Sequence, residues 1–372
     1  MQTRKTIVHT GLLSLLTLSG NAYSGSVNDS LNDLHKRLHK MEVSQKEQAA
    51  NLQMHGVVEV EYGYSEDYAK VDSSDIVLAT VELAIESSIN DNVGIQVSLL
   101  HEEDDTPLEV DVGIINLHDE NSPFSVSAGQ MYVPFGAFES NMISDPLTLE
   151  IGETQESAVL LNYQSSGLSA GVFVFNGDIE EGVDEDKVTR FGFRMGYENK
   201  SFLAGVDYIS SINDTDSIQG YFQAPVADGG LNKNTTIKQV AGLSVHASYF
   251  FDSMFMVFEY LGSLDNFDVA EIAFNGQGAE PSAMNIEFAK SLSVAGRDTT
   301  IAFAYQTTDE ALGLGLPETR VMIAYSTEIY ESTSLGIEYF RDSDYGLTDS
   351  ASGAPGTDET SSTFTVQLAT GF

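Results

Sequence analysis

The stretch Thr189-Arg190-Phe191-Gly192-Phe193-Arg194-Met195-Gly196-Tyr197 alternates without a break. Thr189, Phe191, Phe193, Met195 and Tyr197 fall on one face and Arg190, Gly192, Arg194 and Gly196 on the other, the period of a β-strand. One face suits lipid and the other water. The same division recurs in Val58, Val60, Tyr62 and Tyr64 against Glu59, Glu61 and Gly63, and in Val77, Ala79, Val81, Leu83 and Ile85 against Thr80, Glu82 and Glu86. At the end of the chain, Phe364, Val366, Leu368, Thr370 and Phe372 alternate with Thr365, Gln367, Ala369 and Gly371.

A soluble sandwich also alternates, so connection lengths decide between the two. Strands are expected at 56–64, 75–88, 93–104, 108–118, 123–133, 157–164, 168–176, 188–198, 202–211, 237–250, 254–264, 282–292, 298–308, 318–328, 332–341 and 361–372, which makes sixteen. Connections after even-numbered strands are short, such as Asn90-Asp91-Asn92, Ser165-Ser166-Gly167, Glu198-Asn199-Lys200 and Phe251-Asp252-Ser253. Those after odd-numbered strands are mostly long, notably 134–156, 212–236, 265–281 and 342–360; the one around Asp104-Asp105-Thr106-Pro107 is a short exception. Short turns on one rim and long loops on the other predict an all-β, up-and-down antiparallel transmembrane barrel over 56–372. A sandwich has no reason to alternate in this way.

Two further segments precede the barrel. Residues 1–24 read as a secretory signal, with Arg4 and Lys5, an apolar run from Ile7 to Leu18, and small residues that allow cleavage after Ala22 or Ser24. Over 28–52 the period changes: Leu31, Leu34, Leu38, Met41, Gln45, Gln48 and Leu52 form a heptad seam, capped at its start by Asp29 or Ser30. Such a helix either packs on its own protein or self-associates as a periplasmic coiled coil, in the second case pointing to a homotrimer. Beyond the N-terminus no apolar run approaches the roughly 18 residues of a spanning helix.

Composition excludes other classes. The chain has no cysteine and a formal charge of −39, with 17 basic and 56 acidic residues. A disulfide framework is ruled out, and nucleic acid is not an expected partner, because binding it needs clustered Lys and Arg. Tyrosines near strand ends, including Tyr64, Tyr132, Tyr163, Tyr197, Tyr208, Tyr249, Tyr260, Tyr305, Tyr325 and Tyr339, suit an interfacial girdle, although tryptophan is absent. The final Phe372 resembles the terminal signal that the barrel-assembly machinery of Gram-negative bacteria reads. The expected location is the outer membrane, with lipid bilayer and lipopolysaccharide as surroundings.

The run from Gly129 to Glu150, GQMYVPFGAFESNMISDPLTLE, resembles the signature stretch of the LbtU family of siderophore porins. The order of signal peptide, short coiled coil and barrel ending in Phe is similar too. That resemblance implies uptake of a ferric-siderophore chelate through a pore without the plug of energised receptors. Independently of it, sixteen strands and their connections use all of 56–372, which leaves no room for a separate plug domain.

The loop 134–156 is the candidate to narrow the pore. Pro134 and Gly136 redirect the chain, Phe135, Phe138 and Ile143 can pack inside, and Asp145-Pro146 marks a turn; the plainer reading is an external loop. Alternation turns Arg190, Arg194, Lys238 and Arg320 toward the lumen on strands eight, ten and fourteen. Glu59, Glu61, Glu82, Glu86, Glu109 and Asp111 face inward on strands one, two and four, across from much of that arc. Opposed charges across a narrow lumen orient a dipolar or polyanionic solute, so a carboxylate-rich chelate would be drawn to the arginines. Asp207, Glu259, Glu287 and Glu338 interrupt the segregation, and the arginines can equally neutralise these neighbours and stiffen the wall.

Catalytic and metal signatures are weak. Gly167-Leu168-Ser169-Ala170-Gly171 matches the nucleophile elbow but enters a strand, with no helix after it. The seven histidines have no ligand spacing, and no cofactor, metal or enzyme activity is expected. Asp178, Glu180, Glu181, Asp184, Glu185 and Asp186 read as a solvated charge run in preference to a divalent-cation bridge to lipopolysaccharide phosphates, and Asp342-Ser343-Asp344-Tyr345-Gly346 is half of a calcium loop. Three readings remain: a pore for ferric siderophores or, alternatively, a general or anion- or dicarboxylate-type porin for small solutes; a structural or adhesive barrel; and a barrel enzyme.

Overall fold

The computed structural model describes residues 52–103, 106–182, 187–351 and 354–372. The expected signal peptide, and the expected helix up to its last residue, lie outside these. Sixteen antiparallel strands close into one barrel: β1 (Leu52–Glu66), β2 (Asp72–Asn90), β3 (Val93–His101), β4 (Glu109–His118), β5 (Phe124–Tyr132), β6 (Gln155–Ser165), β7 (Leu168–Phe175), β8 (Arg190–Glu198), β9 (Phe202–Ile209), β10 (Gly242–Phe251), β11 (Met254–Ser263), β12 (Ser282–Val294), β13 (Arg297–Asp309), β14 (Thr319–Tyr330), β15 (Thr333–Ser343) and β16 (Thr360–Gly371). Each strand pairs with its sequence neighbours, and β16 returns to β1. At the seam, Phe372 N donates to Gly56 O at 3.0 Å and Gly56 N to Phe372 O at 3.1 Å. Closure leaves no unpaired edge.

Tight turns on one rim are chemically suited to their task. In the β6–β7 and β12–β13 turns, both central residues have positive φ: Ser166 at 52° with Gly167 at 84°, and Ala295 at 53° with Gly296 at 78°. Two such residues give the twist that a two-residue hairpin needs. The sequence motif Gly167–Gly171 is therefore a turn followed by the first residues of β7.

Side chains are distributed inside out. Phe191, Phe193, Met195, Tyr197, Phe258, Phe303, Ile323 and Tyr339 are exposed on the outer surface, whereas Glu61, Glu82, Asp207, Glu259, Glu287 and Glu338 are buried inside. A barrel surrounded by hydrocarbon requires this arrangement, because the wall satisfies its own backbone and presents apolar atoms outward. No helix among the described residues is long and apolar enough to cross a membrane.

Three local departures have physical causes. β1 begins at Leu52 rather than Gly56, in register with Ser87 of β2. In β2 a bulge shifts the pairing between Glu59/Thr80 and Val60/Leu78. An extra residue reverses alternation, so Val77 lies opposite inward Glu61 instead of sharing the face of Val81. Tyr132, expected in the girdle, donates its hydroxyl to Asp111 at 2.6 Å.

A core fills the long-loop end. Phe135, Leu147, Ile151, Ile179, Ile212, Ile218, Phe222 and Val240 come from connections and pack with inward Phe173, Phe175 and Leu261 of the wall. Two short helices belong to it, α1 (Leu147–Gly152), buried throughout, and α2 (Asp216–Gln223), which buries Ile218 and Phe222. Full burial of such a side chain stabilises by about 1.5–3 kcal/mol. This core fixes where the loops sit.

Candidate functional site: the constriction loop

The β5–β6 connection turns into the barrel as soon as β5 ends. Gly129 has φ +140°, and a Cβ there would lie 2.0 Å from Gly113 O on β4. Only glycine allows that approach. After Pro134, Gly136 (φ +95°) and Phe138 (φ 52°) are both left-handed, a costly conformation for phenylalanine that the surroundings must hold. They are held by the opposite wall.

Four inward carboxylates accept hydrogen bonds from successive parts of the loop. Asp207 on β9 accepts from Gly136 N at 3.1 Å. Glu259 on β11 accepts from Ala137 N at 2.7 Å, Phe138 N at 3.1 Å and Thr148 Oγ1 at 2.8 Å. Glu287 on β12 accepts from Ser140 Oγ, Asn141 N and Asn141 Nδ2 at 2.8, 2.8 and 2.7 Å. Glu338 on β15 accepts from Ile143 N at 2.5 Å and Ser144 N at 3.1 Å. Gln306 on β13 accepts from Leu147 N at 3.0 Å, and Ser248 on β10 bonds Glu139. A net intramolecular hydrogen bond contributes about 0.5–1.5 kcal/mol, and leaving a buried partner unmet costs about 1–3 kcal/mol, so the row of them is a firm seat. The acids that break up the basic arc in sequence are the fixings of the loop.

The expected basic residues have separate fates. Arg190 starts β8 and is buried, with Nε 3.0 Å from Asp214 and Nη2 3.6 Å from Glu180 and 2.7 Å from Ile179 O. Burial pushes the Asp214 carboxyl upward, opposed by hydrogen bonds from Ser211 and Ile179 N and by the Arg190 charge. Arg320 makes a two-pronged contact with its register partner Asp342, at 2.8 and 3.0 Å, and lies 4.4 Å from the Phe340 ring centroid. Both arginines face inward, and both are already paired.

Lys238 requires a correction. It lies outside β10, which starts at Gly242, and its exposed ammonium meets Asp265 at 2.6 Å and Asn266 O at 3.0 Å. The hydrogen bond from Lys238 holds the Asp265 carboxyl below its usual range. Residues 237–241 do not extend the strand because Ile212 N takes Val240 O, while Asn213 Oδ1 takes Val240 N. Arg194 does face the lumen, in register with Asp207, and its Nε has no hydrogen-bond partner.

On the other arc, Glu59, Glu61, Glu82, Glu86 and Glu109 share the inward side by register. Glu61 accepts from Gln367 Nε2 at 2.8 Å. Asp111 sits at a β4 bulge and gathers Ser98 Oγ, Tyr132 OH and Gln155 Nε2 at 2.9, 2.6 and 2.9 Å. Of the loop residues singled out in sequence, Phe135 is buried in the core, Gly136 and Phe138 lie on the carboxylates, Pro134 precedes the turn, and Asp145-Pro146 leads into α1.

Solved structures similar to the chain include an anion-selective porin from Comamonas acidovorans (TM-score 0.58, 11% identity, 86% of this chain and 99% of that one). The outer membrane channel DcaP of Acinetobacter baumannii (0.56, 13%, 86% and 96%) and Salmonella typhi OmpF in complex with daunomycin (0.54, 15%, 87% and 98%) are similar as well. The chain has the fold of porins. In sequence it is similar to a UPF0422 protein of Legionella pneumophila, 30% identical over 299 residues, and to one of Coxiella burnetii, 30% over 231 residues. These matches cover 75% and 60% of this chain but 56% and 48% of the relatives, so the chain spans about half the length of the curated relatives it matches. No protein-family model matches the chain.

Proposed function

We propose that the chain forms an outer-membrane pore of a Gram-negative bacterium that admits ferric-siderophore chelates by passive or facilitated diffusion. The observation that carries this reading is the loop seated on Asp207, Glu259, Glu287 and Glu338 inside a closed barrel, where it narrows the lumen. That loop belongs to the stretch 129–150 whose resemblance suggests siderophore porins. Apolar side chains on the outer face support insertion in the bilayer, with long loops toward lipopolysaccharide and assembly by the barrel-assembly machinery.

Arg194 is the residue we assign to the passing chelate, because Arg190 and Arg320 already hold carboxylates and Lys238 lies outside the strands. Purified protein in planar bilayers should give discrete channel currents, and a deletion strain should grow poorly on a carboxylate-rich ferric siderophore as sole iron source. Arg194→Ala should lower chelate flux with the barrel still assembled. Unchanged flux in that folded variant would remove Arg194 from the mechanism.

A second reading, a general porin for small solutes, is favoured by the acids on β1, β2 and β4, which suit no single chelate. Equal rates for the chelate and for uncharged sugars of similar size would select it. Trimeric assembly fits either reading, as Vibrio cholerae OmpT is described in a trimer form. Deleting residues 28–52 should then weaken the oligomer and leave the conductance of each pore intact.

A further inference from the structure

His246 on β10 is a buried titratable group that the pore reading leaves unused. It faces inward, in register with Gly205 of β9 on one side and Glu259 of β11 on the other. Gly205 makes room for the ring, since a Cβ there would lie 2.3 Å from His246 Nε2. The other ring nitrogen, Nδ1, lies 3.4 Å from Asp207 Oδ2, the same oxygen that accepts from Gly136 N at the entry of the constriction loop. Both side chains are closed off from the lumen, His246 at 4% and Asp207 at 1% exposure.

His246 Nδ1 makes no hydrogen bond among the described residues, and neither do Asp207 Oδ1, Ser244 Oγ and Arg194 Nε, all buried. These four atoms belong to one patch: Arg194 pairs in register with Asp207, Asp207 pairs with Ser244, and His246 is the next inward residue of β10. The charged groups that face the imidazole are Asp207 from β9, Arg194 from β8 and Glu259 from β11, while Glu139 of the loop bonds Ser248, one inward position further along β10. Two carboxylates against one guanidinium leave the patch negative, so a proton added there meets favourable charge. Imidazole is the side chain that changes charge between about pH 5 and 8.

We propose that Asp207 and His246 form a proton-sensitive clasp for the entry of the loop. With the imidazole neutral, the Asp207 carboxylate holds Gly136 N. With a proton added, His246 Nδ1 donates to that carboxylate, which is then shared between the ring and the loop, and the bond to Gly136 N weakens. Gly136 and Phe138 are both left-handed here, a conformation that persists only while the wall holds it, so the entry is the part of the loop that such a change releases first. The clasp deepens the pore reading, on which it depends only for its effect on current.

The test uses full-chain protein in mild detergent and follows hydrogen exchange at Gly136 N, expressed as protection relative to an unstructured peptide at the same pH. Between about pH 8 and about pH 5.5 the parent should lose protection roughly fivefold, because a bond to a shared acceptor is weaker than one to a free carboxylate. Asp207→Asn should show the low value at both pH values, and His246→Gln the high value at both. Asn141 N and Ile143 N, held by Glu287 and Glu338, should keep their protection throughout. Equal protection of parental Gly136 at the two pH values, a parental loss in His246→Gln, or an equal loss along the whole loop would overturn the assignment. Heat-modified gel mobility confirms that the variants are folded. Channel currents from the same samples test the pore separately: a parent that turns noisy in acid beside a quiet His246→Gln supports the clasp, and a parent that shows the change in exchange without conducting removes the pore reading alone.

Discussion

Two arcs of the inner wall use the same residue type for different ends. From β9 to β15, inward carboxylates lie beneath the loop 136–148 and accept its N–H and hydroxyl groups. From β1 to β4, carboxylates reach the same inward side by the same alternation, and there Glu61 and Asp111 accept from side chains of the wall, Gln367 for the first and Ser98, Tyr132 and Gln155 for the second. An inward acid is thus a fixing or part of the pore lining according to what stands in front of it. Alternation decides only which way it points.

The most severe way to break the contrast is at the loop's entry. Gly129→Val should abolish barrel assembly, seen as loss of heat-modified gel mobility, because its Cβ would meet a β4 carbonyl oxygen. Next in size, Glu259→Ala with Glu287→Ala unseats the middle of the loop. Every N–H or hydroxyl left buried without an acceptor costs about 1–3 kcal/mol, so conductance should at least double and become noisy. Quiet parental currents would show that the loop stays in place by its apolar contacts alone. On the opposite arc, Glu61→Gln with Glu86→Gln should keep currents quiet and move the reversal potential by a few millivolts toward anion preference. Noise in that variant would erase the distinction between arcs. Smallest of all, Lys238→Ala should leave conductance, selectivity and unfolding temperature unchanged, since its ion pair is exposed and outside the strands.

The barrel was largely legible in the sequence because lipid outside and water inside impose a strict period on every strand. Where the period itself breaks, as at Ala79, counting alternate residues puts Val77 on the wrong face. The segment 237–241 looks like strand, yet Ile212 and Asn213, far along the chain, take the backbone groups of Val240. The candidate site was half visible. Pro134, Gly136 and the aromatics marked the loop, and the alternation of β8 turned Arg190 and Arg194 inward. Asp207, Glu259, Glu287 and Glu338 were visible only as an irregularity, because their partners are mostly main-chain N–H groups, which every sequence possesses. A signal was nevertheless present: residues 134–148 contain no lysine or arginine, so any acid facing them has to be met by neutral donors, the backbone N–H groups with Ser140, Asn141 and Thr148.

The wall therefore holds the loop mainly by its backbone, and this bears on how such a pore can diversify. At positions 136, 137, 138, 141, 143, 144 and 147 the bonded group is an amide hydrogen that all residues but proline carry. Apart from the conformational demand at Gly136 and Phe138, substitutions along the lumen-facing side of the loop can change its size and charge while the hanging points stay intact. On the proposed pore reading, selectivity can thus drift from one solute to another over evolutionary time without the barrel being rebuilt.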